Sequence, residues 1–136
     1  MTGPSAVPIV VAAAVIERNG AFLLTQRLEG THLEGHWEFP GGKAESGESL
    51  QACLARELRE ELDVAATVGA EMFRTRHAYA DCLVEIHFFA CAIHGTPAPV
   101  LGQQMRWVPR AELKALSFPD ADAAFIEQLS RGGEWP

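Results

Sequence analysis

The chain has 136 residues, a length typical of one domain, and its 48% hydrophobic and 21% charged residues are those of an ordinary globular protein. Its longest apolar run, 9–16, is shorter than the roughly 18 residues that a membrane span needs, and no basic secretory segment precedes it. We therefore expect a cytoplasmic protein without a membrane partner. The net charge of −7 disfavours long nucleic acid, which needs a basic surface, but it permits a small nucleotide beside a bound metal.

The first part of the chain predicts a β-hairpin. Residues 7–17 are apolar and β-branched, and they lead to Asn19-Gly20, the strongest two-residue hairpin signal. Residues 21–27 form the predicted return strand. A polar loop follows, and then a short extended piece at 37–39. We expect a tight Pro-Gly-Gly turn at 40–42 to end this piece.

A helix is predicted over 49–62. Leu50, Leu54, Leu58 and Leu62 recur every four residues and form its core-facing stripe. The alanines, leucines, arginines and glutamates between them favour helix intrinsically. Serines before the segment offer N-cap candidates.

The second half predicts further strands and a last helix. Strand-like stretches at 65–76 and 82–93 flank a polar turn, and a short strand is expected at 105–108. A helical turn at 109–116, an amphipathic helix at 121–129 and a frayed tail at 131–136 follow. Without repeats or linkers, this order predicts a single α/β layered domain.

The helix at 49–62 carries three acidic side chains close together. Glu57, Glu60 and Glu61 are three and four residues apart, on neighbouring positions of one helical face. Like charges so placed destabilise an isolated helix by roughly 0.2–0.5 kcal/mol per pair. Carboxylate oxygens are also what Mg²⁺ takes as ligands, so a cation would neutralise the cluster. A solvated face screened by neighbouring arginines is the alternative that these residues alone leave open.

Segment 42–64 resembles the Nudix box, G-x5-E-x7-R-E-U-x-E-E-x-G-U with U aliphatic. Eight of its nine specified places are filled, by Gly42, Glu48, Arg56, Glu57, Leu58, Glu60, Glu61 and Val64. Asp63 stands where the family has a glycine that ends the helix. Asp tolerates the left-handed conformation, so we expect a modest cost in stability. The resemblance implies one Nudix domain over 1–136, an α/β/α sandwich with a central mixed sheet.

The resemblance also implies roles for the box residues. A divalent cation, Mg²⁺ or Mn²⁺, is expected to bind the carboxylates of Glu57, Glu60 and Glu61 and the backbone carbonyl of Gly41. Arg56 is expected to orient the glutamates, and these four side chains, Arg56, Glu57, Glu60 and Glu61, are the expected catalytic residues. Glu48 would brace the loop or sit in the outer metal shell. Gly42, which lacks a Cβ, lets the backbone approach closely.

Three residues outside the box are candidates for substrate binding. In similar MutT-type proteins an Arg at the end of the second strand contacts phosphate, a role that falls to Arg27 unless it is a simple surface charge. Phe39 would line the base pocket or belong to the core. Asp122 would contact the nucleobase edge or cap the last helix, and Asp120 is the other cap candidate. Asp122 accepts hydrogen bonds when ionised and also donates when protonated, so the sequence leaves the base undecided.

One departure affects the general base. MutT-type enzymes place a further glutamate six residues before a late tryptophan. Counting back from Trp107 reaches Leu101, with Gln103 and Gln104 nearby. The sequence therefore leaves the identity of the general base open.

The MutT-type resemblance implies metal-dependent hydrolysis of a nucleoside triphosphate to the monophosphate and pyrophosphate. Damaged or modified substrates such as 8-oxo-dGTP, or a pyrimidine dNTP, fit a role in cleaning the nucleotide pool. The alternatives are a Nudix hydrolase for nucleotide sugars or dinucleoside polyphosphates, and a non-catalytic nucleotide-sensing module. We expect a monomer or homodimer whose partner is the small-molecule nucleotide.

Overall fold

The computed structural model describes residues 7–132. Seven strands and two α-helices form the described part, with two short 3₁₀ helices at Arg110–Ala115 and Asp120–Asp122. The strands are β1 Ile9–Arg18, β2 Ala21–Gln26, β3 Trp37–Glu38, β4 Gly41–Lys43, β5 Ala65–Ala78, β6 Leu83–His94 and β7 Met105–Pro109. The helices are α1 Leu50–Leu62 and α2 Ala123–Arg131.

The strands form one mixed sheet in the order β3-β2-β1-β6-β5. β1 and β6 run parallel, and the other pairings are antiparallel. The predicted opening hairpin is confirmed, because β1 and β2 pair beside their turn. They then diverge: β4 pairs with β1, and β7 pairs with β2.

The predicted Pro-Gly-Gly turn is wrong, because residues 41–43 form β4. This strand pairs with β1 from Val11 to Ala13, and the Ala14 N–H donates to the Pro40 carbonyl at 2.8 Å. The glycines allow the pairing, since a Cβ on Gly41 would overlap the Ala12 carbonyl oxygen. The double glycine therefore allows β4 to lie very close to β1, and the chain continues from β4 toward α1.

The two helices pack on opposite faces of the sheet, as the α/β/α prediction requires. The alternation of β1 divides its side chains, with Ala13 and Val15 in the core beneath α2 and Ala12 and Ile16 in the core beneath α1. The leucine stripe of α1 packs in the second core, where three of its four members are fully buried. Each such leucine contributes roughly 1.5–3 kcal/mol by burial. Packing on this stripe fixes which face of α1 stays accessible.

The ends of α1 agree with the sequence. Ser49 is the N-cap, and its Oγ accepts from the Ala52 N–H at 3.0 Å. Asp63 adopts the left-handed conformation at the other end, with φ 54° and ψ 44°. Asp therefore replaces the glycine of the motif without displacing the end of the helix.

The start of α2 differs from the prediction. A 3₁₀ turn precedes it, and Asp122 lies at its N-cap position without a side-chain capping hydrogen bond. Capping by Asp122 is therefore wrong, and Asp120 makes no capping bond either. Arg131 belongs to α2 and Gly132 is its C-cap, while residues 133–136 of the predicted tail lie outside the described residues. Across 7–132, neither helix has the length and apolarity to cross a membrane.

Candidate functional site

One acidic side chain of α1, that of Glu57, lies in very close contact with β4. Residue 42 lies opposite Ala12 in the sheet, and a Cβ there would overlap the carboxylate of Glu57. The Cys53 thiol donates to the carbonyls of Gly42 and Lys43, at 3.6 and 3.5 Å. The glycine strand and the acidic helix therefore form one unit, in which Glu57 reaches the sheet backbone.

Arg56 lies at the centre of a network of carboxylates. Its guanidinium binds Glu48 in bidentate fashion, with Nε to Oε2 at 2.7 Å and Nη2 to Oε1 at 3.0 Å. Nη1 lies 3.2 Å from Glu60 Oε1 and 3.7 Å from Glu57 Oε1. The hydrogen bonds from Arg56 lower the pKa of Glu48 to about 2 and raise the pKa of the guanidinium. One arginine thus holds Glu48 ionised and contacts two of the three helical glutamates.

Glu57 and Glu61 form a carboxyl pair one turn apart on α1. Burial raises the pKa of Glu61 to about 9, and the charge of Glu57 contributes in the same direction. Burial also raises the pKa of Glu57, against the lowering effect of Arg56. Protonated Glu61 donates to Glu57, and this hydrogen bond adds to the rise in the pKa of Glu61. Glu60 is different, because 57% of its side chain is exposed and it pairs with Arg56.

These residues fit a divalent cation in their chemistry. Burial raises the pKa of both Glu57 and Glu61, and a cation would supply the positive charge that favours their ionised, metal-binding forms. The oxygen-only donor set suits Mg²⁺ or Mn²⁺. Within 7–132, no three His, Cys, Asp or Glu side chains already converge on one point.

Arg27 and Glu38 separate two cavities beside this pair. A cavity of about 410 Å³ lies toward α2, one of about 170 Å³ lies toward Glu61, and both are lined by Arg27 and Glu38. Arg27 Nη1 lies 3.0 Å from Glu38 Oε1, and Arg27 Nε donates to the His32 carbonyl. Burial raises the pKa of Glu38, and Arg27 opposes the rise. Arg27 lies at the predicted place but is already paired with Glu38.

Phe39 lies in the core and also lines a cavity. Its side chain is buried in the core beneath α2, where its ring packs against Phe88, Phe118 and Phe125 at centroid distances of 5.5–6.0 Å. The same residue lines the 410 Å³ cavity. Its core position is therefore established, while contact with a base stays a prediction.

Asp122 lies at the floor of the larger cavity. It is 5% exposed, and its side chain makes no capping hydrogen bond to α2. Burial raises its pKa to about 7, and the charge of Glu38 adds to the rise. Because it lines the cavity and does not cap α2, its carboxyl can face a molecule there.

Residues 95–104, here called the late loop, close over the end of α1. Leu101 is 54% exposed and lines the smaller cavity with Gln103 and Glu61. The apolar side chain of Leu101 therefore lies next to Glu61, and the described late loop places no carboxylate there.

Sequence reasoning missed two residues of this region. Glu38 couples to both Glu61 and Asp122 through its charge, yet it received no role. Gln103 was noticed only as a neighbour of Leu101, although it is buried and contacts α1. The position of Glu38, directly before Phe39 and the glycine strand, could have indicated that it lies in the site. Gln103 could have been found as the amide next to Leu101 in the late loop.

Comparison with known proteins agrees with this geometry. The sequence profile described as NUDIX domain matches residues 11–128. The chain is 40% identical to the CTP pyrophosphohydrolase of Escherichia coli (strain K12) over 116 residues, 85% of this chain and 84% of that protein. It is 38% identical to the 8-oxo-dGTP diphosphatase of Haemophilus influenzae over 124 residues, 89% and 90% of the two chains.

Solved structures give the same result for the fold. The solution structure of the E. coli ORF135 protein is 36% identical with a TM-score of 0.78, covering 92% of this chain and 91% of that one. The crystal structure of the MutT protein from Methanosarcina mazei Go1 is 25% identical with a TM-score of 0.81, covering 91% and 94%.

The mixed sheet between two helices and the acidic α1 define a Nudix hydrolase, and the chain belongs to the Nudix family. Within that family its relatives are named as pyrophosphohydrolases, and its structural neighbours include MutT proteins. The predicted family, its MutT-type branch and the α/β/α fold are thereby confirmed.

Proposed function

We propose that this protein hydrolyses a nucleoside triphosphate to the nucleoside monophosphate and pyrophosphate with Mg²⁺ or Mn²⁺. The observation that carries the proposal is the arrangement of the glutamates on α1, with Glu57 packed against the glycine strand and Glu61 lining the smaller cavity beside Arg27 and Glu38. An oxygen-only donor set of this kind suits a divalent cation, which hydrolysis of a phosphoanhydride needs. The likeness to a CTP pyrophosphohydrolase and an 8-oxo-dGTP diphosphatase supports the same reaction.

Each group then has a task. Glu57, Glu60 and Glu61 hold the cation together with the Gly41 carbonyl, while Arg56 and Glu48 keep the glutamates in place. When bound, the cation neutralises charge on the transferring phosphoryl group and acidifies the attacking water.

Hydrolysis requires one bond to form and one to break. The water oxygen bonds to phosphorus, the anhydride bond to the bridging oxygen breaks, and monophosphate and pyrophosphate separate. The water proton passes to a carboxylate of the helix, since the late loop offers none. Arg27 contributes positive charge beside the substrate phosphates.

The larger cavity is the proposed place for the nucleobase. Phe39 supplies an aromatic wall and Asp122 a buried carboxyl at its floor. Ionised Asp122 accepts from two adjacent N–H donors, as on the edge of a guanine-type base. Protonated Asp122 donates to a ring nitrogen and accepts from an amine, as on cytosine. With the pKa of Asp122 near 7, both classes are compatible with the site.

The test is pyrophosphate release with Mg²⁺ from CTP, dCTP, dGTP and 8-oxo-dGTP, with a nucleotide sugar and a dinucleoside polyphosphate alongside. We expect turnover of triphosphates, and a loss on the order of 100-fold or more in kcat for Glu61→Gln. The exposed Glu112, far along the chain in the first 3₁₀ helix, provides the matched control Glu112→Gln, which should keep full activity.

Three results would contradict the proposal. Full activity of Glu61→Gln removes the role of the acidic pair. Faster turnover of sugar or dinucleoside substrates points to another Nudix reaction. Nucleotide binding without any Mg²⁺-dependent product identifies a sensing module. A cytoplasmic location, where such nucleotides occur, is part of the same proposal.

A further inference from the structure

The end of α1 is held by the late loop. The last carbonyls of an α-helix have no partner within the helix itself. Here the loop supplies donors from its backbone, with the Ala98 N–H on the Leu62 carbonyl at 2.9 Å and the Val100 N–H on the Glu61 carbonyl at 3.1 Å. The main chain of Glu61 is therefore fixed by a segment about forty residues later in sequence.

Gln103 strengthens this contact from a buried position. Its Nε2 donates to the Glu61 carbonyl at 3.2 Å, and its Oε1 accepts from the Leu101 N–H at 2.9 Å. Only 6% of the residue is exposed. A buried amide is favourable only when it is hydrogen-bonded, so both ends of this side chain specify its position. The amide thus joins the late loop to the last turn of α1.

The late loop is also anchored on its other side. The Gln26 N–H of β2 donates to the Gln104 carbonyl at 3.0 Å. Gln103 therefore lies between a strand of the sheet and the end of the helix. Loss of its hydrogen bond would therefore loosen the Glu61 main chain relative to the sheet.

We propose that Gln103 is a positioning residue for the metal site, acting through the backbone of Glu61. The inference rests on the proposed function, in which the Glu61 carboxylate holds a cation. Residues 95–104 contain no Asp or Glu, so the late loop offers no carboxylate ligand of its own. Its contribution to the site is the position of Glu61, and Gln103 is the side chain that transmits it.

The experiment compares Gln103→Met with Gln104→Met in the full-length protein. Methionine keeps the length of glutamine and removes both hydrogen bonds, and Gln104 is the exposed neighbour that provides a matched control. Binding of Mn²⁺ is measured by electron paramagnetic resonance with a non-hydrolysable CTP analogue present. The Mg²⁺ concentration for half-maximal rate and the melting temperature are measured in parallel.

We expect Gln103→Met to weaken Mn²⁺ binding and to raise the Mg²⁺ requirement by roughly 10-fold or more, the usual effect of losing a residue that supports a metal ligand. At saturating Mg²⁺ its KM for the nucleotide should stay near the wild-type value. Gln104→Met should change none of these quantities. If Gln103→Met does not fold, Gln103→Asn, which is one methylene too short to make both bonds, serves for the same measurement.

Two failures are distinguishable. If Gln103→Met lowers the melting temperature but binds Mn²⁺ like the wild type, the residue is only structural and the inference is overturned. In that case a loss of Mn²⁺ affinity in Glu61→Gln still supports the proposed function. If Glu61→Gln binds Mn²⁺ as well as the wild type does, the proposed function itself fails, and the inference fails with it.

Discussion

The carboxylate of Glu57 occupies the space that a Cβ atom on Gly42 would need. This contact joins the fourth specified residue of the box, an acid on α1, to its first, a glycine on β4. The glycine is required by a neighbouring side chain and not by a turn.

Two glycine variants should therefore fail in different ways. In Gly42→Ala the new methyl displaces the end of a flexible side chain, so we expect a loss of roughly 10–100-fold in activity and a small change in melting temperature. In Gly41→Ala the methyl meets the Ala12 backbone at a φ of 154°, so we expect destabilisation by about 3 kcal/mol or more. Enzyme assays and urea unfolding measure the two effects. An active Gly42→Ala would show that Glu57 need not lie where it does.

Arg56→Lys should lower activity although the charge is kept. Lysine cannot reproduce the bidentate bond to Glu48 while it also reaches Glu60. We expect kcat to fall roughly 10–100-fold, with the Mg²⁺ requirement raised. Arg59→Lys is the matched control, since Arg59 is exposed and makes only a long ion pair, 3.9 Å from Nη1 to Asp63 Oδ1. Equal activity of the two variants in steady-state assays would remove the orienting role from Arg56.

Glu61→Gln should stabilise the metal-free protein while it abolishes activity. Because the folded-state pKa of Glu61 is raised to about 9, folding favours its protonated form, and stability falls as pH rises from about 4.5 toward 9. Glutamine removes this loss. At pH 8 we expect the melting temperature to rise by roughly 5 °C, on the order of 1 kcal/mol, with a smaller difference at pH 5.

The control for this measurement is Glu60→Gln, on the exposed side of α1, which should change the melting temperature little. Mg²⁺ should raise the melting temperature of the wild type but not that of Glu61→Gln. A Glu61→Gln protein that melts below the wild type at pH 8 would contradict the assigned pKa.

Base preference should depend on pH through Asp122. Its pKa of about 7 means that it loses its proton as pH rises through neutrality. The ratio of kcat/KM for CTP to that for 8-oxo-dGTP should therefore fall between pH 6 and pH 8. Titration of the acidic pair on α1 affects both substrates and cancels in the ratio.

Asp122→Asn separates this effect from others. Asparagine offers one donor and one acceptor at every pH, as the protonated acid does. We expect the variant to keep CTP hydrolysis, to lose most activity on 8-oxo-dGTP, and to show a ratio independent of pH. A ratio that still changes with pH in the variant would assign the titration to another group, such as Glu38.

Local signals were enough for much of the fold. The Asn19-Gly20 hairpin and the ends of α1 follow from turn chemistry, leucine spacing and capping, which act over a few residues. Pairing partners were not predictable in this way. The pairing of β4 with β1 and of β7 with β2 depends on contacts between distant segments. These contacts override the local preference of Pro-Gly-Gly for a turn.

The sequence by itself determined which acidic groups come together, because the spacing of Glu57, Glu60 and Glu61 on a helix follows from helical geometry alone, and the resemblance to the Nudix box implied a cation there. Only the tertiary structure decided how those groups differ. Burial against the sheet makes Glu61 retain a proton, while exposure leaves Glu60 beside Arg56. The reason is desolvation, which depends on what surrounds a carboxylate in space. The same cause raises the pKa of Asp122, and only the fold brings the Gln103 side chain to the Glu61 carbonyl.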